Sequence, residues 1–120
     1  MMTTIPDLPD NVVAVKATGK ITGDDYETVL IPVIEEKLKK HGKIRLLYQI
    51  GPDIAGFTAG AMWDDAKVGL RHLTAFDKIA VVSDVEWITG AVRVFSFVIP
   101  SLVRTFRNED FLEAKAWVSS

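Results

Sequence analysis

The chain has 120 residues, 48% of them hydrophobic and 25% charged, with a net charge of −2. That length supports one domain, 1–120, able to bury about two-thirds of the surface of its unfolded chain. The composition excludes a disordered chain, and the net acidity argues against nucleic acid as a partner. There is no cysteine, which removes disulfides, thiolate nucleophiles and thiolate-held metals and fits a reducing cytoplasm. The first residues, Met1-Met2-Thr3-Thr4-Ile5-Pro6-Asp7, have neither the basic region nor the apolar core of a signal peptide.

In chain order, Thr3–Ile5 reads as a short edge strand, and Pro6, Asp7, Pro9 and Asp10-Asn11 as a turn. The β-rich run Val12–Thr18 pairs with that edge and ends at Gly19. Thr22-Gly23-Asp24-Asp25 supplies an N-cap with acidic first-turn residues. The following helix puts Tyr26, Val29, Leu30, Val33, Ile34 and Leu38 on one face, and Pro32 is expected to kink or divide it. His41-Gly42 closes it.

Lys43–Ile50 is a largely apolar strand of the kind buried in parallel sheets. A loop, 51–57, leads to a helix capped by Thr58, with Met62, Ala66, Gly69, Leu70 and Leu73 toward the core. Phe76–Val82 is the next strand. Ser83-Asp84-Val85-Glu86 then reads as a capping box at the start of an unusually apolar helix. Leu102–Arg107 is a last strand, and Asn108-Glu109-Asp110 caps a final helix ending near Trp117. Strands alternating with helices predict an α/β fold: a four- to five-stranded, mainly parallel sheet with an antiparallel N-terminal edge, flanked by about four helices.

Gly51-Pro52-Asp53-Ile54-Ala55-Gly56-Phe57-Thr58 has the glycine spacing of a phosphate loop, but Phe57 stands where the phosphate-binding lysine belongs. A βα loop with turn-forming glycines explains it better. Asp64, Asp65 and His72 offer too few ligands for a metal, so no metal site and no cofactor are expected. Neither His41 nor His72 has a nucleophile elbow beside it, which leaves no catalytic residue to name.

The strongest signal is Trp87–Ile99. At helical spacing Glu86, Thr89, Arg93 and Ser96 form one narrow polar stripe, and apolar side chains cover the rest. A helix packed on a sheet needs an apolar stripe about 100° wide, so this one has surplus apolar surface. It is too short and too interrupted, by Gly90, Arg93 and Pro100, to span a bilayer. No acidic residue occurs between Trp87 and Asn108, while Arg93, Arg104 and Arg107 make the stretch locally basic. Aromatic residues beside arginines suit a peripheral membrane surface, an apolar or amphipathic ligand, or the interface of a homodimer. The expected lining of such a ligand site is Phe57, Met62, Trp63, Trp87, Phe95 and Phe97, with Arg93 or Arg104 holding an acidic head group.

Several segments resemble one family: Leu8-Pro9-Asp10-Asn11-Val12-Val13, Gly19-Lys20-Ile21-Thr22 with Asp25-Tyr26-Glu27, Lys43-Ile44-Arg45-Leu46-Leu47-Tyr48, Gly56-Phe57-Thr58 with Trp63-Asp64-Asp65, and Ile79-Ala80-Val81-Val82-Ser83-Asp84 with Glu86-Trp87. Over essentially the whole chain they are similar to bacterial SpoIIAA-like proteins, relatives of the STAS domain (sulfate transporter and anti-sigma factor antagonist). The resemblance implies the sheet described above, a likeness to Sec14-type (CRAL-TRIO) lipid-binding domains, and with it ligand binding and membrane association. It also implies an alternative, a STAS-type protein-interaction module acting as a homodimer, with Gly51, Gly56 and Thr58 in its regulatory loop. STAS anti-sigma antagonists are switched at a serine in that region, and 51–61 has none; Thr58 is its only hydroxyl and serves as an N-cap. A cytoplasmic location, peripheral to the inner face of the membrane when lipid is bound, follows from this reading.

Overall fold

In a computed structural model, residues 1–58, 75–86, 88, 90 and 102–120 are described. The hydrophobic pattern builds a five-stranded sheet from β1 (Met2–Thr4), β2 (Val12–Ala17), β4 (Ile44–Ile50), β6 (Phe76–Val82) and β7 (Leu102–Phe106), adjacent in that order. β1 runs antiparallel to β2, and every other neighbour is parallel. The mainly parallel sheet with an antiparallel N-terminal edge is therefore present.

Alternation along the strands divides the core into two layers, because successive side chains point to opposite faces. On one face Val13, Val15 and Ala17 of β2, Tyr48 and Ile50 of β4, and Val81 of β6 pack with Tyr26, Leu30, Ile34 and Ile88. On the other, Val12, Ala14, Leu47, Ala80, Val82 and Phe106 pack with Ala114 and Val118 of the C-terminal helix, α3 (Phe111–Ser119). Helices therefore cover both faces.

The N-terminal helical unit begins as expected. Thr22 forms a capping box with Asp25, whose side chain accepts from the Thr22 amide at 2.8 Å while Thr22 Oγ1 accepts from the Asp25 amide at 3.3 Å. Pro32 stands where one helical segment gives way to the next, as expected. Ahead of it, α1 (Gly23–Asp25) passes into a π-helical turn, Tyr26–Leu30, and then into α2 (Ile31–Lys40), with Pro32 in the first turn of α2. The Ile31 amide reaches back to the Tyr26 carbonyl. A widened turn thus precedes the proline, whose missing donor falls in the first turn of the new segment.

Hydrogen bonds from the Thr22 amide, with the Thr22 hydroxyl adding to them, hold the Asp25 carboxyl below its ordinary pKa. Asp10 is lowered as well, first by its hydrogen bond with His41 (2.8 Å) and then by the charge of Lys37. A depressed carboxylate pKa favours folding at pH values above the unfolded value near 4, and that contribution is lost as pH falls through the folded value. Asp25→Asn should therefore flatten the fall in melting temperature expected of the wild type below about pH 4. Superimposable wild-type and variant profiles in that range would remove Asp25 as a cause.

Two elements escaped the sequence reading. β3 (Lys20–Ile21) and β5 (Gly56–Phe57) form a second, two-stranded parallel sheet. Asn108–Asp110 is a 3-10 turn, and Asp110, the residue before α3, makes no side-chain capping bond. The expected cap is replaced there by a tertiary contact of Asn108. Among the described residues no helix is long and apolar enough to cross a membrane.

Candidate functional site

Parallel strands present their carboxyl ends along one edge of the sheet, and here those of β4, β6 and β7 are joined by Asn108. Its amide donates to Asp84 Oδ1 at 3.0 Å, and its Nδ2 donates to Asp84 Oδ2 at 3.2 Å and to the Ile50 carbonyl at 3.0 Å. Gln49 Nε2 donates to Asn108 Oδ1 at 3.1 Å. Ser83 is buried beside this junction, its amide bonded to the Phe106 carbonyl and its Oγ accepting from the Val85 amide at 3.0 Å. These bonds fix the point where the chain leaves β6 and turns helical at Glu86.

Against this junction lies a cleft of about 590 Å³, walled by Asp84, Glu86, Gly90, Arg104, Asp110 and Glu113 among others. Its described walls are mostly polar and charged. The Arg104 guanidinium lies over the rings of Phe106 (4.9 Å) and Trp117 (5.3 Å). Arg107 stands by Asp84 at 3.9 Å and Glu109 at 3.7 Å, exposed pairs that contribute little to stability. No carboxylate pairs with Arg104 among the described residues, so of the arginines expected to hold a head group it is the one whose placement is described.

Phe57 is in β5, while Met62, Trp63, Trp87, Arg93, Phe95 and Phe97 lie outside the described residues, as do Asp64, Asp65 and His72. Arg104 belongs to the α3 side of the sheet, through Phe106 and Trp117, whereas Ile88 packs into the opposite layer. The cleft nevertheless has walls from both, because Glu86 and Gly90 reach it at the end of β6.

The glycine-rich loop offers no phosphate cradle among these amides. The Gly51 amide donates to the Ala17 carbonyl, Ile54 to Gly51, Ala55 to Gly19 and Thr58 to Ile21, at 2.8–3.2 Å. Amides that an anion would need are thus committed to carbonyl oxygens. A Cβ at Gly51 would meet Asp53 Oδ1 at 2.8 Å, and the end of that exposed side chain would have to swing aside. Among the described residues no three His, Asp or Glu side chains are grouped to hold a metal.

Asn108 and Gln49 were missed by sequence reasoning, as was the bond between His41 and Asp10. Each pairs residues far apart in the chain, so no local spacing could show it. The only local signal was an asparagine directly after a strand, which reads equally well as a helix cap.

A family model described as SpoIIAA-like matches residues 12–119. The chain belongs to the SpoIIAA-like family. A solved structure of an uncharacterised protein of the DUF3478 family from Shewanella loihica PV-4, with a SpoIIAA-like fold, is similar to this chain at 31% identity and a TM-score of 0.75. The similarity covers 98% of this SpoIIAA-like chain and 92% of that one. No curated protein matches. A STAS-type module is the functional frame that membership supports.

Proposed function

We propose that this SpoIIAA-like domain works by binding, not by catalysis, and that its occupant is an apolar or amphipathic small molecule, taken up near a membrane surface. The observation that carries the reading is the packing of Ile88 into the helix-covered core layer. At helical spacing Ile88 shares its stripe with Ala91, Val92, Phe95 and Ile99, and Trp87, Val94, Phe97 and Val98 fall outside it. Apolar surface beyond the stripe that meets the sheet calls for a cover, and an amphiphile's chain supplies one. The cation at Arg104, seated on aromatic rings at the cleft, supplies a partner for an acidic head group.

Replacing Trp87 and Phe95 together by alanine should weaken binding to palmitic acid, and to vesicles of phosphatidylcholine with phosphatidylglycerol, by about tenfold or more, given the area that each aromatic side chain buries. Titration calorimetry and vesicle sedimentation read this, with circular dichroism to show that the fold persists. Unchanged binding in a folded variant contradicts the reading.

A second reading follows from the family: a STAS-type regulatory module that binds a protein partner, or its own copy, without a serine switch. The charged walls of the cleft, with Asp84, Glu86 and Arg104 among them, favour this reading, because they would suit a polar protein surface. It predicts an assembly that depends on protein concentration and is indifferent to lipid.

A further inference from the structure

We infer that α3 is a strap: it swings off the sheet as one unit from a fixed point at Asn108, and a clasp of two cations, Arg45 and Lys78, holds it shut. Alternation puts both cations on the sheet face that α3 covers, in line with Leu47 of β4 and with Ala80 and Val82 of β6. They are direct partners across the two strands. Neighbouring cations repel, and the end of α3 supplies the groups that hold them together. Arg45 Nη1 donates to the carbonyls of Val118 at 3.0 Å and Ser120 at 2.6 Å. Lys78 Nζ donates to the Trp117 carbonyl at 3.2 Å and to Ser120 Oγ at 3.0 Å, and lies 5.2 Å from the centre of the Trp117 ring. Carbonyls in a last helical turn have no partner within the helix, and cations there also meet the negative end of its dipole.

Between its ends α3 has little apolar hold. Of its nine residues only Ala114 and Val118 are fully buried. Phe111 and Trp117 pack part-way against the layer, and Leu112 is exposed. Its first turn has no side-chain cap. The chain just ahead of it is pinned instead, because the bonds of Asn108 to Asp84, Ile50 and Gln49 keep that point on the sheet whatever α3 does. A helix fixed at one end, clasped at the other and lightly packed between them opens at lower cost than the sheet beneath it.

Arg45 supplies an independent reason for the clasp to release. Its Nε is buried and has no hydrogen-bond partner among the described residues. A guanidinium donor kept from water without an acceptor carries a desolvation cost, which is relieved when the last turn of α3 lifts and water reaches the group. Closing therefore gives up part of what the clasp contributes. Opening bares Leu47, Ala80, Val82 and Phe106, and it takes Glu113 out of the cleft wall.

The chain has no cysteine, so a single introduced thiol reports the opening. Ala114→Cys places one under α3 and Val15→Cys one in the opposite layer, both at fully buried positions. Labelling of the folded full chain by a thiol reagent, with each rate scaled to that of the same variant in urea, should be about tenfold or more faster for Ala114→Cys. Lys78→Met keeps the stem and removes the ammonium. Added to Ala114→Cys it should raise the rate by about another tenfold, the effect of one charge-assisted contact, and added to Val15→Cys it should change nothing. Hydrogen exchange of the Phe111–Ser119 amides against those of β4 and β6, with and without Lys78→Met, reads the same opening in a chain free of cysteine and decides the matter if a cysteine variant does not fold. Equal scaled rates for the two cysteine variants, or an equal rise in both with Lys78→Met, would mean that α3 leaves only when the whole chain unfolds, and overturn the strap.

Discussion

Asn108→Ala is expected to lower the unfolding free energy by about 2–3 kcal/mol, more than its partly exposed position suggests. Three side-chain bonds are lost together: to the Ile50 carbonyl, to Asp84 Oδ2, and from Gln49. Each is ordinary alone, at about 1 kcal/mol, and the bond to a carboxylate is stronger. Their loss leaves the Gln49 amide and the Ile50 carbonyl without these partners at the end of a buried strand. Asn108→Asp should be worse at neutral pH, because it places a second carboxylate against Asp84 and removes the Nδ2 donor. Lowering the pH toward the carboxylate range should narrow the difference between the two variants. Urea unfolding at several pH values measures this. A loss under about 0.5 kcal/mol for the alanine variant would show that the junction does not hold the strand ends together.

Leu47→Ala is the other large effect. Leu47 is fully buried in the layer under α3, and a large-to-small change in such a place costs about 2–5 kcal/mol according to how far the site can collapse. Because that layer is what α3 packs on, the loss should appear locally as well. Amides of Phe111–Ser119 should lose hydrogen-exchange protection more than those of α2, which packs on the opposite face. Equal loss on both sides would mean that the two layers unfold only as one.

These effects depend on contacts that the sequence displayed very unevenly. The strands with strict apolar patterning, Val12–Ala17, Ile44–Ile50 and Phe76–Val82, were legible within a residue or two, because both faces of a parallel sheet demand continuous apolar side chains. The Thr22–Asp25 capping box was legible because it is local. β3 and β5 were not: two-residue strands carry no period, and their pairing exists only once β2 and β4 have brought Gly51 to Ala17 and Ala55 to Gly19. The π-helical turn was hidden for a different reason. Pro32 announces a disturbed hydrogen bond but does not say whether a kink, a break or an extra residue in the turn relieves it.

The candidate site was only partly legible. Arg104 was singled out for its charge in an acid-free stretch, and it borders the cleft; its seat on Phe106 and Trp117 needed the register of β7 and the placement of α3. Asp110 read as part of a helix cap. Gly90 read as an interruption in an apolar run.

The measurement that bears most directly on binding of an amphiphile is native mass spectrometry of the protein purified gently from its expression host, compared with the denatured mass. The account predicts an adduct of a few hundred daltons, present in the native spectrum and lost on denaturation, and extraction of it identifies the occupant. A native spectrum showing only the bare chain or a bare dimer, unchanged after incubation with lipid vesicles, would contradict the account and move the protein-interaction module to the front.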